Sequence, residues 1–220
     1  MNEWFAGAVK KLMEVHWYAW AIVAALLAAG VALLASGRKK QNWSSRQLAV
    51  AAMCIALSFV LSGIRLYRVP QGGSVTPLSM LPLIAFALAY GPAAGALAGC
   101  AYGLLQLIQD PYVIHPVQLL LDYPLAFGAL ALGAIARYLP LPKWSKLPLA
   151  VVLASLGRYA MAVLSGMIFF ASNAPVGQSV LWYSLGYNLT YLGPDALLCF
   201  AMAFVPGIVR AVDLMERERP

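Results

Sequence analysis

Apolar residues run along this chain in long blocks, separated by short stretches rich in proline, glycine, tyrosine or basic residues. The blocks predict helices over 17–36, 47–64, 78–90, 92–108, 116–137, 148–171 and 180–208. Only Tyr90, Gly91 and Pro92 separate the third block from the fourth, and a glycine followed by a proline ends one helix and opens the next. Residues 1–16 mix Trp4 and Phe5 with Lys10 and Lys11, the pattern of an interfacial segment leading into the first span. The block at 17–36 starts late, has acidic residues before it and is followed by Arg38, Lys39 and Lys40, so it is read as a retained span and not a signal peptide.

Composition agrees with the pattern. Of 220 residues, 62% are hydrophobic and 10% charged, and the mean hydropathy is +0.78. That is more apolar surface than a soluble domain buries, so the expected class is an all-α integral membrane protein embedded in the lipid bilayer. The net charge of +7 does not indicate nucleic acid, because the basic residues sit in short loops between apolar blocks. Those loops set an orientation. Arg38, Lys39, Lys40, Arg46, Arg137, Lys143, Lys146, Arg210, Arg217 and Arg219 fall on one side; Lys10, Lys11, Arg65 and Arg68 fall on the other. The positive-inside rule then puts the N-terminus outside and the C-terminus in the cytoplasm of a multi-pass cell-membrane protein. Loops 65–77, 109–115 and 172–179 face outward. Cys54, Cys100 and Cys199 lie in apolar blocks without metal-ligand spacing, which argues for three buried side chains rather than a zinc site or disulfide.

One stretch departs from the apolar pattern. Residues 102–127 carry Gln106, Gln109, Asp110, His115, Gln118 and Asp122 together with Pro111, Pro116 and Pro124. The prolines predict a turn between two helices, since the residue before proline avoids the helical region and proline suits a helix's first turn. In the second helix His115, Gln118 and Asp122 recur at spacings of three and four, so they share a face. An acid inside the hydrocarbon layer costs roughly 2.5–3.5 kcal/mol on insertion scales, so Asp122 is a candidate functional residue. In the last block Asn188, Tyr191 and Asp195 form a stripe beside Tyr183, Tyr187 and Tyr191. Arg158 lies mid-depth in the preceding block and requires an anion, with Asp195 the first expected partner and Asp122 the second.

Small residues form two further patterns. Gly91, Gly95, Gly99 and Gly103 recur every four residues and predict close packing inside the bundle. Ala52 and Ala56, beside Ala49 and Ala51, offer a flat surface to an external helix.

Catalytic motifs are missing from the sequence: there is no P-loop, no HExxH and no GxSxG. A non-enzymatic binder without cofactor is the expected class. A carboxylate surrounded by tyrosine faces suits a small organic cation, through charge attraction and cation–π contact.

The runs PQGGSVTPLSMLPL (70–83), YGLLQ (102–106), QDPY (109–112), HPVQLLLDYPLAF (115–127), LSGMIFF (164–170) and YSLGYN (183–188) resemble the thiamine-specific S component of energy-coupling factor (ECF) transporters. The resemblance covers about 46–208 and implies a six-helix S-component core, with the span at 17–36 as an extra N-terminal transmembrane helix. It divides the chain into 1–45, a substrate-binding membrane domain at 46–210 and a cytoplasmic tail at 211–220. It implies a subunit that binds thiamine from outside with high affinity and associates with a transmembrane coupling protein and two ATPase subunits. The implied substrate-binding residues are Asp122 with Tyr123, Tyr183 with Asn188, Tyr112 over the site, and Phe170. His115 and Gln118 join them as residues on the Asp122 face, and Ala52 and Ala56 are the expected partner-docking residues. The chain has Ala162 and Phe170 where the family pattern has histidine and tryptophan, which bears on affinity and on the choice of ligand. The alternative function is a stand-alone proton-coupled secondary carrier for thiamine or a related cationic pyrimidine, with Asp122 or Asp195 as proton relay.

Overall fold

The computed structural model describes residues 43–217. The expected segments at 1–16 and 17–36 lie outside the described residues. Among the described residues six helices build the bundle: α1 (Ser45–Gly63), α2 (Leu81–Tyr90), α3 (Pro92–Gln109), α4 (Pro116–Tyr138), α5 (Lys143–Phe169) and α6 (Val180–Met202). A further helix, α7 (Pro206–Arg217), leaves α6 at 81°.

Helix ends follow local chemistry. The Ser44 side chain caps α1 by accepting a hydrogen bond from the Gln47 amide at 3.1 Å. His115 caps α4 in the same way, its Nδ1 accepting from the Val117 amide, and Pro116 takes the first helical position. Gly91, at φ 98°, ends α2 and turns the chain directly into α3. Within α4 the backbone widens into a π turn at Leu121–Leu125. Pro124 has no N–H to donate and its ring crowds the preceding turn, which accounts for the widening. Such turns recur at functional sites, and this one carries Asp122 and Tyr123.

Two expected spans differ from what is observed. The block at 78–90 gives only the ten-residue α2, about 15 Å long at 1.5 Å per residue, half the hydrocarbon thickness. Residues 76–80 make a turn instead of a helical lead-in, with Leu78 at a left-handed φ of 64°. Every α2 residue except Pro82 is buried, so this short helix is enclosed by protein. The block at 180–208 breaks after Met202, because Pro206 cannot continue the hydrogen-bond ladder of α6 and starts α7. Residues 211–217, within the expected tail, lie in a packed amphipathic helix, with Val212 buried against the core. Among the described residues α1, α4 and α5 are long and apolar enough to cross a membrane, and α6 with α7 qualifies as a bent pair.

Loop 65–77 contains a two-stranded antiparallel ribbon, β1 (Tyr67–Arg68) and β2 (Ser74–Val75). β2 lies against α6. The α3 glycines meet the backbone of α4: a Cβ on Gly99 would stand 2.2 Å from the Phe127 carbonyl oxygen, and one on Gly103 would stand 2.5 Å from that of Tyr123. Contact this close gives dispersion attraction in a setting where lipid offers no hydrophobic drive between helices. α5 packs along α4 and α6, and α2 packs against α1, α3, α4 and α7.

Candidate ligand-binding site

A cavity opens where the 70–74 and 110–112 segments gather over the ends of α4, α5 and α6. Asp122, Tyr123, Ala126 and Phe127 line it from α4, Arg158, Ala162, Ser165 and Gly166 from α5, and Tyr183, Ser184, Tyr187, Asn188 and Tyr191 from α6. The open space at α5 has a sequence origin. Ala162 is small, and Gly166 leaves room for Ser184, whose Oγ would stand 2.2 Å from a Cβ at that position.

Asp122 is held by Gln118, whose Nε2 donates to its Oδ2 at 2.5 Å. The same Gln118 amide donates to the Tyr112 carbonyl at 3.0 Å, and its Oε1 accepts from the Ile114 amide at 3.2 Å. Tyr123 also faces the loop: its hydroxyl donates to the Asp110 carbonyl at 2.9 Å and accepts from the Tyr112 amide at 2.8 Å. Gln118 and Tyr123 thus hold segment 110–114 above the cavity, with Asp110 itself 3.1 Å from Arg65 and 3.9 Å from Arg68. Tyr112 is placed so that its ring stacks on Phe170, with centroids 6.1 Å apart and planes inclined at 21°.

The α6 wall is aromatic. Tyr183 stacks on Tyr187 at 6.2 Å, and Tyr187 meets Tyr191 edge-on at 5.9 Å. The Tyr187 hydroxyl donates to the Pro70 carbonyl, tying loop 65–77 to this wall. Asn188 donates to the Ser184 carbonyl at 2.8 Å and the Ala162 carbonyl at 3.3 Å, and it accepts from the Tyr191 hydroxyl at 2.8 Å. Asn188 is therefore a buried brace between α5 and α6 as well as part of the cavity wall. At the inner end Asp195 is buried, 3.7 Å from Arg158, and accepts from Thr76 at 3.2 Å.

Of the residues expected at the site, Asp122, Tyr123, Tyr112, Tyr183, Asn188, Phe170 and Gln118 line one cavity. His115 does not line it. Its ring is 3% exposed, caps α4 and stacks on Phe169 at 4.9 Å, because a residue at a helix cap points back along the first turn and not down the face. Ala52 and Ala56 lie on an exposed face of α1 away from the cavity.

A family model described as a thiamine transporter protein (Thia_YuaJ) matches residues 48–213, a range that contains the whole cavity. The chain belongs to this thiamine transporter family. It is 38% identical over 163 residues to the thiamine transporter ThiT of Bacillus subtilis, covering 70% of this chain and 84% of the relative. It is 25% identical over 171 residues to ThiT of Lacticaseibacillus paracasei, covering 71% and 80%. Among solved structures, ThiT from Listeria monocytogenes superposes with a TM-score of 0.57 at 21% identity over 78% of this chain and 94% of that one, a likeness of fold. The expected S-component fold is therefore that of the family.

Several lining residues carry little signal for the site in the sequence. Tyr187 and Tyr191 were visible as a stripe, and their depth in the block was the available signal. Gly72, Gly73 and Ser74 reach the cavity through the ribbon, which periodicity does not reveal. Arg158, expected in an ion pair, both pairs with Asp195 and faces the cavity.

Proposed function

We propose that this chain is the substrate-binding membrane subunit of a vitamin importer and that it binds thiamine in the cavity between α4, α5 and α6. The observation that carries this reading is the juxtaposition of the Asp122 carboxylate with the aromatic faces of Tyr112, Phe170, Tyr183, Tyr187 and Tyr191, in a thiamine transporter family member. Thiamine carries a cationic thiazolium and a flat aminopyrimidine. A carboxylate at about 4 Å attracts such a cation by roughly 4 kcal/mol at an effective dielectric near 20, and a desolvated aromatic face adds about 2 kcal/mol. Calorimetric titration of the purified chain tests this: saturable heat with thiamine, and none with riboflavin or pyridoxine, is the expected result. No saturation below about millimolar thiamine, the weakest class of specific binding, overturns it.

Uphill uptake then needs a partner, since the sequence contains no nucleotide motif. We assign that role to a transmembrane coupling protein carrying two ATPase subunits, docked on the α1 face where Ala49, Ala52 and Ala56 are exposed. In this arrangement the basic loops and α7 are cytoplasmic and the cavity opens outward. Replacing Ala52 or Ala56 with tryptophan abolishes uptake by cells and leaves thiamine affinity of the isolated subunit unchanged. Accumulation of thiamine by the isolated chain in liposomes, driven by a pH gradient alone, contradicts the coupled reading and favours the secondary carrier.

A further inference from the structure

Arg158 is a charged group with unused donor capacity inside the cavity. The central carbon of its guanidinium lies over the Phe127 ring, 4.4 Å from the centroid. Its ion pair with Asp195, at 3.7 Å, is longer than a hydrogen bond, and the buried Nη1 makes none. Asp195 itself is oriented by Thr76, whose hydroxyl is paired with Ser79 at 2.6 Å. The ion pair thus neutralises the arginine's charge and fixes its place without using its hydrogen-bonding edges. Both Arg158 and Phe127 line the same cavity as Asp122.

A guanidinium so held suits an acceptor oxygen on the ligand, because an unmet buried N–H is costly and charge-assisted hydrogen bonds are the strong ones. Asp122, by contrast, suits a positive group. The two walls therefore suit a ligand carrying a cation in one part and an oxygen acceptor in another. Resting on the thiamine reading, we propose that Arg158 is a specificity-determining residue that donates to the oxygen at the end of the ligand's side chain, whether a hydroxyl or a phosphate ester. Asp195 and Thr76 are positioning residues for it.

The test uses three ligands that differ only at that end: thiamine, its monophosphate, and deoxythiamine, in which the hydroxyethyl group is ethyl. Each is titrated calorimetrically into the purified full-length chain and into the double variant Arg158→Met with Asp195→Asn, which removes both charges and leaves no buried carboxylate unpaired. The expected result is a loss of at least about tenfold in affinity for the monophosphate, the factor set by one charge-assisted hydrogen bond, with deoxythiamine changed less than about threefold. Equal weakening of all three ligands means that Arg158 acts only on the fold and overturns the inference, as does no change in any. If the double variant does not fold, Arg158→Lys retains a counter-charge for Asp195 and loses the planar fork. Monophosphate affinity then falls relative to deoxythiamine, and a parallel fall overturns the inference. Failure of the unaltered chain to bind any of the three removes the thiamine reading itself, a result distinct from a parallel fall.

Discussion

The two ends of the α4–α5 pair are built from opposite materials. Toward the basic loops the helices touch through very small residues: a Cβ on Gly133 would stand 2.8 Å from the Ala150 carbonyl oxygen, and one on Gly157 would stand 2.9 Å from that of Ala129. Toward the other end the same two helices part around Asp122, Phe127, Arg158, Ala162 and the α6 tyrosines. The contrast shows how a membrane bundle makes a hollow. Where side chains are absent, backbones close and van der Waals contact holds them together. Where rings and charged groups stand, the helices are held apart and polar braces such as Asn188 replace direct contact. The closed end fixes the open end, because α4 and α5 are shared by both.

The largest effect comes from breaking a backbone contact of the closed kind, here between α3 and α4. Gly99→Leu drives a side chain into the Phe127 carbonyl, where backbone cannot yield. The expected outcome is loss of more than about 3 kcal/mol of stability, the upper range for overpacking, seen as failure to recover monodisperse protein in detergent. Normal thermal unfolding of this variant contradicts a closed α3–α4 contact.

At the open end the effects fall on ligand binding. Phe170→Ala removes the partner of Tyr112 and one aromatic wall, and it is expected to weaken thiamine binding by about 1–2 kcal/mol with unfolding temperature little altered. Tyr123→Phe removes the hydroxyl that holds segment 110–112 over the site and keeps the ring. Its expected cost is about 1 kcal/mol, and its signature is faster amide exchange confined to the loop. An unchanged exchange pattern contradicts the placement of that loop by Tyr123.

The smallest effect lies at α7. Asp213 is half-buried, and hydrogen bonding from Lys143, helped by Arg217, holds its carboxyl below the usual carboxylate range. A lowered folded-state value contributes stability above the ordinary carboxylate range and loses it as pH falls through the folded value. Asp213→Asn is expected to speed exchange in 206–217 near neutral pH and to leave thiamine affinity unchanged. A changed affinity contradicts the separation of α7 from the cavity.

Much of this was legible in the sequence because membrane spans and proline-bracketed turns write themselves in composition. His115-Pro116 marked the start of α4, and the polar residues that follow marked the site. Other features are not legible in the sequence. The shortness of α2 depends on a turn at Leu78 that any apolar residue would conceal. The cap role of His115 is a matter of backbone geometry, indistinguishable by spacing from membership of the Asp122 face. The dual position of Arg158 depends on its height relative to Phe127 and Asp195, which no single block encodes.

Under the proposed function, Asp122 is the carboxylate that receives a cationic ligand among the tyrosines. The decisive measurement is titration of thiamine into the unaltered chain and into Asp122→Asn, side by side. The variant retains the shape and a hydrogen-bonding oxygen for Gln118, so it is expected to fold normally and to bind about 30- to 1,000-fold more weakly, the range for one buried charged partner at roughly 2–4 kcal/mol. A folded Asp122→Asn chain that binds thiamine as tightly as the unaltered one contradicts this role of Asp122.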